Sequence, residues 1–206
     1  YLIDINDYNE KIPLKHKKDH LISELPQSLY EAINVFILNV ATRDLRGQVK
    51  HNSMLVNISR FSDVHEKIAY LIDEYLKALK NDINAFILLP NSVDQSKLIL
   101  NLKNVFETKF DIEFSWLEIS KKLSEIATSI LVIEVHQKSK KPLNYNAGER
   151  INVIAVGGLS LSRGFTLEGL SVSYFIRSTI FYDTLMQMGR WFGYRQDYED
   201  LCKIYM

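Results

Sequence analysis

Residues 151–176 read INVIAVGGLSLSRGFTLEGLSVSYFI, and this stretch decides the fold. Its first part, Ile151-Asn152-Val153-Ile154-Ala155-Val156, is short, rich in β-branched residues and ended by Gly157-Gly158. It predicts a buried strand. Leu170-Ser171-Val172-Ser173-Tyr174-Phe175-Ile176 predicts another. Strands of this kind, alternating with helices, belong to parallel sheets whose faces are covered. The loop joining the two must leave the carboxyl end of the first, where open α/β sheets hold ligands. Glycines there let backbone N–H groups approach phosphate oxygens, while Ser162 and Arg163 add side-chain donors. A plain glycine-containing turn fits the same residues, and the loop alone does not choose between the two readings.

Working outward, Ile130-Leu131-Val132-Ile133-Glu134-Val135 and Met54-Leu55-Val56-Asn57-Ile58 are further strand candidates. Val64, Ile68, Leu71, Ile72, Tyr75, Leu76 and Leu79 recur at helical spacing, so strand, turn and helix form a βα unit. Residues 28–42 carry a second helical stripe, with Gly47 as its stop. Residues 82–128 read as a helical insertion, with helices near 95–107 and 115–127, and Phe86 to Pro90 as a strand or buried turn. Residues 138–150 form a basic loop with Pro142 and Gly148 as breakers. Residues 1–25 lack periodicity and include the basic run Lys15-His16-Lys17-Lys18, so they predict a solvated linker or lobe-connecting segment.

Composition narrows the function classes. Lys and Arg together number 25, as do Asp and Glu, so any nucleic-acid contact needs a local basic patch. The single Cys202 excludes an internal disulfide and a cysteine-based zinc site, and fits a reducing, cytoplasmic setting. No apolar run approaches the ~20 residues of a membrane span. The chain opens at Tyr1 and closes at Met206 just after a dense motif cluster, so a piece of a longer protein is expected.

That cluster is DTLMQMGRWFGYR at 183–195, following a helix predicted over 182–190. Arg190 and Arg195 stand five residues apart. Two forked guanidiniums suit a polyphosphate, since each can grip oxygens bidentately and neutralise developing charge. Surface arginines flanking a Trp-Phe-Tyr core patch are the alternative, and Trp191 and Phe192 read as core.

Residues 162–170 resemble helicase motif V, and residues 187–195 resemble motif VI. Asn57-Ile58-Ser59-Arg60-Phe61 is similar to the motif that opens a second helicase lobe. The strings from Gly157 to Leu170 and from Tyr182 to Arg195 are closer still to the Z-one domain (Z1) family, linked with endonucleases and helicase-type ATPases. Motif VI has two extra residues between its arginines here, and Thr166 stands where motif V usually has an aspartate. The resemblance implies an α/β, RecA-like three-layer domain of the P-loop NTPase type, over residues 26–206. It implies Arg190 as an arginine finger, Arg195 as its companion and Gln187 ordering the helix end that faces ATP. Gly164, Thr166 and Glu168 would join the arginines on the ATP side. Gly157, Gly158, Ser162 and Arg163 would line the loop towards nucleic acid, and Ser59 and Arg60 would touch its phosphates. The implied cofactor is ATP with Mg2+, bound mainly by an N-terminal RecA-like lobe. The implied partner is DNA, with RNA open, in a bacterial restriction or defence system.

No G-x-x-x-x-G-K-[ST] string occurs, so the chain alone should hydrolyse no ATP. Leu71-Ile72-Asp73-Glu74 resembles a Walker B strand but lies inside a helical stripe. A metal-dependent nuclease would want clustered carboxylates and a lysine. Asp111, Glu134 and Lys138 are the nearest set, and Glu118 with Lys121 also misses the usual spacing. His16 and His20 lack the glutamate of a metalloprotease pair, and Ser160 and Ser162 make no nucleophile elbow. Three readings remain: a motor lobe, an endonuclease, and a degenerate DNA-binding scaffold.

Overall fold

A computed structural model describes residues 1–135, 145, 150–158, 167–176 and 197–206. Its strands are β1 (Leu2–Ile3), β2 (Asn52–Asn57), β3 (Ile130–Val135), β4 (Asn152–Gly157), β5 (Leu170–Phe175) and β6 (Lys203–Tyr205). Its α-helices are α1 (Gln27–Leu45), α2 (Ser62–Phe86), the single turn α3 (Ser92–Gln95), α4 (Lys97–Lys109) and α5 (Trp116–Ile126). The strands form one six-stranded sheet in the order β1-β6-β5-β2-β4-β3. Every pairing is parallel. Four of the strands were legible in sequence as continuous apolar runs: β2, β4 and β5 are buried on both faces, whereas β3 lies at the sheet edge with Leu131 exposed.

Alternate strand residues feed two apolar clusters. Met54, Val56, Ile154, Val156, Val172 and Tyr174 pack with α1, α2, α4 and α5 in the larger one. Leu55, Ala155, Val135 and Phe175 belong to a second cluster, to which no described helix contributes. This period of two places neighbouring side chains on opposite faces. The helices expected near 95–107 and 115–127 are α4 and α5, and both lie against α1. α4 begins at Ser96, whose hydroxyl accepts from Leu98 and Ile99 N–H. α5 begins with a Ser115–Glu118 capping box.

Phe86 to Pro90 is neither a strand nor a separate element, since α2 runs to Phe86 and ends in a turn. Ile83 and Ile87, both buried, continue the stripe of Val64, Ile68, Ile72, Leu76 and Leu79, so the helical period wins over the short apolar run. Asp73 and Glu74 sit on that helix and share Lys77, as surface carboxylates do.

The first 25 residues are not a solvated tail. β1 pairs with β6 at the sheet edge, and Ile12 and Leu25 are buried in the main cluster. Asp7 accepts from the backbone N–H of Ser28 (2.7 Å) and from its hydroxyl (2.6 Å), capping α1 from outside. Among the described residues no helix is long and apolar enough to cross a membrane.

Candidate functional site

The two ends of the sheet are built differently. At the amino end, polar side chains close on one another. The buried Arg43 donates to Asn52 Oδ1, Asn52 donates to Asn152 Oδ1 (2.7 Å), and Asn152 donates to Ser129 Oγ (2.7 Å). Tyr198 covers the Arg43 guanidinium at 4.0 Å. Ser53 Oγ donates to the Glu168 carbonyl at 2.7 Å. Not every polar atom on this edge is matched: among the described residues Asn39 Oδ1 and Arg150 Nε and Nη2 have no hydrogen-bond partner.

At the carboxyl end, β2 leads into Ile58-Ser59-Arg60-Phe61, beside the end of β4 at Gly157-Gly158 and of β5 at Phe175. Asn57 and Ile176 are tied by a backbone hydrogen bond of 3.1 Å. Asn57 is 1% exposed, yet among the described residues its Oδ1 has no hydrogen-bond partner. A buried amide oxygen left unmatched costs about 1–3 kcal/mol.

His65, in the first turn of α2, donates from Nε2 to the Ser59 carbonyl at 2.8 Å. A Cβ on Gly158 would lie 2.9 Å from His65 Cε1 and 3.3 Å from Ser59 O. Close packing of that ring and carbonyl therefore accounts for glycine at 158. Ser59 is itself buried, at 3% exposure. Its hydroxyl accepts from Phe61 N–H (3.1 Å) and meets His16 Nε2 at 2.7 Å. His16 Nδ1 lies 2.6 Å from the Pro13 carbonyl, which can only accept, so Nδ1 carries a proton. In the neutral ring Nε2 then accepts from Ser59. Arg60 is exposed, with its guanidinium 4.8 Å from the Phe61 ring centre.

Of the residues expected at the nucleic-acid side, Ser59, Arg60, Gly157 and Gly158 thus come together on one edge. Glu168, expected on the ATP side, does not join them. It precedes β5 and lies 3.9 Å from His51 at the amino edge, a strand length or roughly 17 Å away. Ser162, Arg163, Gly164, Thr166, Gln187, Arg190 and Arg195 lie outside the described residues. His65 was not singled out from sequence, while Asn57 was named only within the Met54–Ile58 and Asn57–Phe61 strings, and His16 only within a basic run and a rejected metalloprotease pair. Only Asn57 left a signal there, as a polar residue closing an apolar run.

The nuclease carboxylates are not gathered. Asp111 shares a concavity with Tyr1, Asp200 and Lys203, on the β1–β6 side of the sheet. Glu134 lies on β3 at the opposite edge, four strand spacings or about 19 Å from β6. Glu118 is committed to its capping box, and Lys138 lies outside the described residues. Among the described residues no group of three His, Cys, Asp or Glu side chains could hold a metal ion. Comparison with known protein families shows that a model of the Z1 domain aligns with residues 28–206. No curated protein and no solved structure matches the chain.

Proposed function

The chain belongs to the Z1 domain family, and on that premise we propose that it is the second, RecA-like lobe of a nucleic-acid-dependent ATPase. The observation that carries the reading is the open carboxyl edge. There Ser59, Arg60, Gly157 and Gly158 converge around the buried Asn57, whose Oδ1 is unmatched among the described residues. Ligands of open parallel sheets bind at that end.

In this reading Arg60 contacts the sugar-phosphate backbone directly. Ser59, its hydroxyl and carbonyl held by His16 and His65, sets the turn that presents Arg60. ATP with Mg2+ supplies the phosphoryl group and the bridging cation, and is held mainly by a first lobe with the phosphate loop that this chain lacks. The open edge fits such a group: Gly158 and Ile176, which lie there, lead in sequence into the segments carrying Arg163 and Arg190. Arg190 and Arg195 would neutralise charge on the departing phosphate, with Gln187 ordering their helix end. Glu168 is left out because of its position. DNA is the proposed partner, with a role in bacterial restriction or defence.

The test is ATP hydrolysis by a protein in which this domain is joined to a phosphate-loop lobe, with and without DNA. Turnover should rise with DNA and fall by ~10³–10⁵ in Arg190→Ala, without loss of thermal stability. Turnover indifferent to Arg190 would refute the motor reading.

A further inference from the structure

Residues 13–20 pack beside the turn after β2, although they are distant from it in sequence. His16 reaches Ser59 and stands edge-on to Phe61, with ring centres 5.9 Å apart. His20 Nε2 donates to the Lys11 carbonyl (2.9 Å), and Lys67 of α2 donates to the His20 carbonyl (3.0 Å). The segment is thus held at its base by two histidines and a lysine. Lys15, Lys17 and Lys18 are exposed on this segment, which His16 ties to Ser59, the residue preceding the exposed Arg60. Among the described residues none of these four cations makes an ion pair, whereas Lys11 nearby is paired with Glu24. Glu10, Asp19, Asp63 and Glu66 are exposed carboxylates of the neighbouring segments, against five cations when Lys67 is counted.

We infer that residues 13–20 are a phosphate-gripping arm, whose Lys15, Lys17 and Lys18 extend the Arg60 surface along the backbone of one nucleic-acid strand. The inference rests on the nucleic-acid reading above and adds a contact surface to it. A chain with balanced overall charge can bind polyanions only through such a local excess. Phosphodiesters are the fitting ligand because the cations are lysines and one arginine on flexible stems, with no aligned base-reading element beside them. The histidines do not contact phosphate; they hold the arm in place.

The experiment is fluorescence anisotropy of labelled oligothymidylate and oligouridylate with the chain, across a salt series. Wild type is compared with a Lys15→Ala, Lys17→Ala, Lys18→Ala variant. A charge-matched control carries Lys97→Ala, Lys103→Ala and Lys121→Ala on α4 and α5. The arm variant should bind whichever strand wild type prefers about tenfold or more weakly at low salt. The slope of log K against log salt should fall by about 2, at ~0.7 per lost phosphate contact on a single strand. The control should match wild type. If wild type binds and the arm variant binds equally, or the control loses as much, the arm is refuted while the nucleic-acid reading stands. If wild type binds neither strand, the nucleic-acid reading itself fails, and the arm with it.

Discussion

Gly169 and Gly47 share a left-handed backbone, with φ of +67° and +73° respectively, and differ in what surrounds them. Gly47 closes α1 in open space, with nothing within 4 Å of where a Cβ would stand. At Gly169 a Cβ would fall 1.8 Å from the His51 carbonyl oxygen and 3.1 Å from the Arg43 guanidinium. An L-residue in this conformation costs about 1–2 kcal/mol from its own backbone. Gly47→Ala should therefore lose about 1 kcal/mol. Gly169→Ala should lose that plus the cost of displacing the His51 backbone, about 3 kcal/mol or more in total. Urea unfolding of both variants checks this, and equal losses would show that the close approach is unimportant. Either glycine reads in sequence as a turn residue. That one of them is also a close-packing residue depends on a carbonyl supplied from 118 positions away in the chain.

At the scale of elements, Arg46 fastens the end of α1 to two later segments. It grips Glu113 with both forks (2.9 and 3.0 Å) and Asp200 likewise (3.0 and 2.8 Å). The Arg46 hydrogen bond is the main reason that the Glu113 carboxyl is pulled from 4.5 down to about 2. A carboxylate with a depressed folded value contributes stability that is fully present above its unfolded value. That contribution is lost as pH falls from 4.5 towards 2. Because the Glu113 side chain is half exposed, solvent screens the pair and the effect should be modest. Unfolding midpoints measured through that window should decline less steeply in Glu113→Gln than in wild type. Parallel declines would remove Glu113 from the acid response. The stripe of α1 was visible in sequence, but its tie to the Glu113 loop and the Glu199–Leu201 turn was not, because exposed charges carry no periodicity.

For the whole molecule, residues 1–25 show how a stretch without pattern can be integral. They contribute an edge strand, two buried aliphatic side chains and the carboxylate that caps α1. Burying a side chain such as Ile12 or Leu25 is worth about 1.5–3 kcal/mol, and an external cap about 1 kcal/mol more. A chain beginning at residue 26 should consequently melt well below the intact chain, by about 5 °C or more. Calorimetry of the two chains checks this, and identical melting would return the segment to the role of a tether. If the segment is the nucleic-acid arm as well as an edge, its removal should cost binding and stability together, whereas the lysine substitutions should cost binding alone.

The sequence by itself determined four of the six strands, the four longer helices and the α/β class. Runs such as Asn152–Gly157 and Leu170–Phe175 are buried on both faces, and that burial is written in them residue by residue as continuous apolar character. The stripes of α1, α2, α4 and α5 record a buried face in the same local way. Tertiary structure alone decided what those faces meet. It joined His16 to Ser59, brought residues 13–20 beside Arg60, and put Glu168 at the far edge from Gly158. It also left Asn57 buried and unmatched where the sheet opens. Periodicity reports that a side chain is covered; it carries no information about the distant residue that covers it.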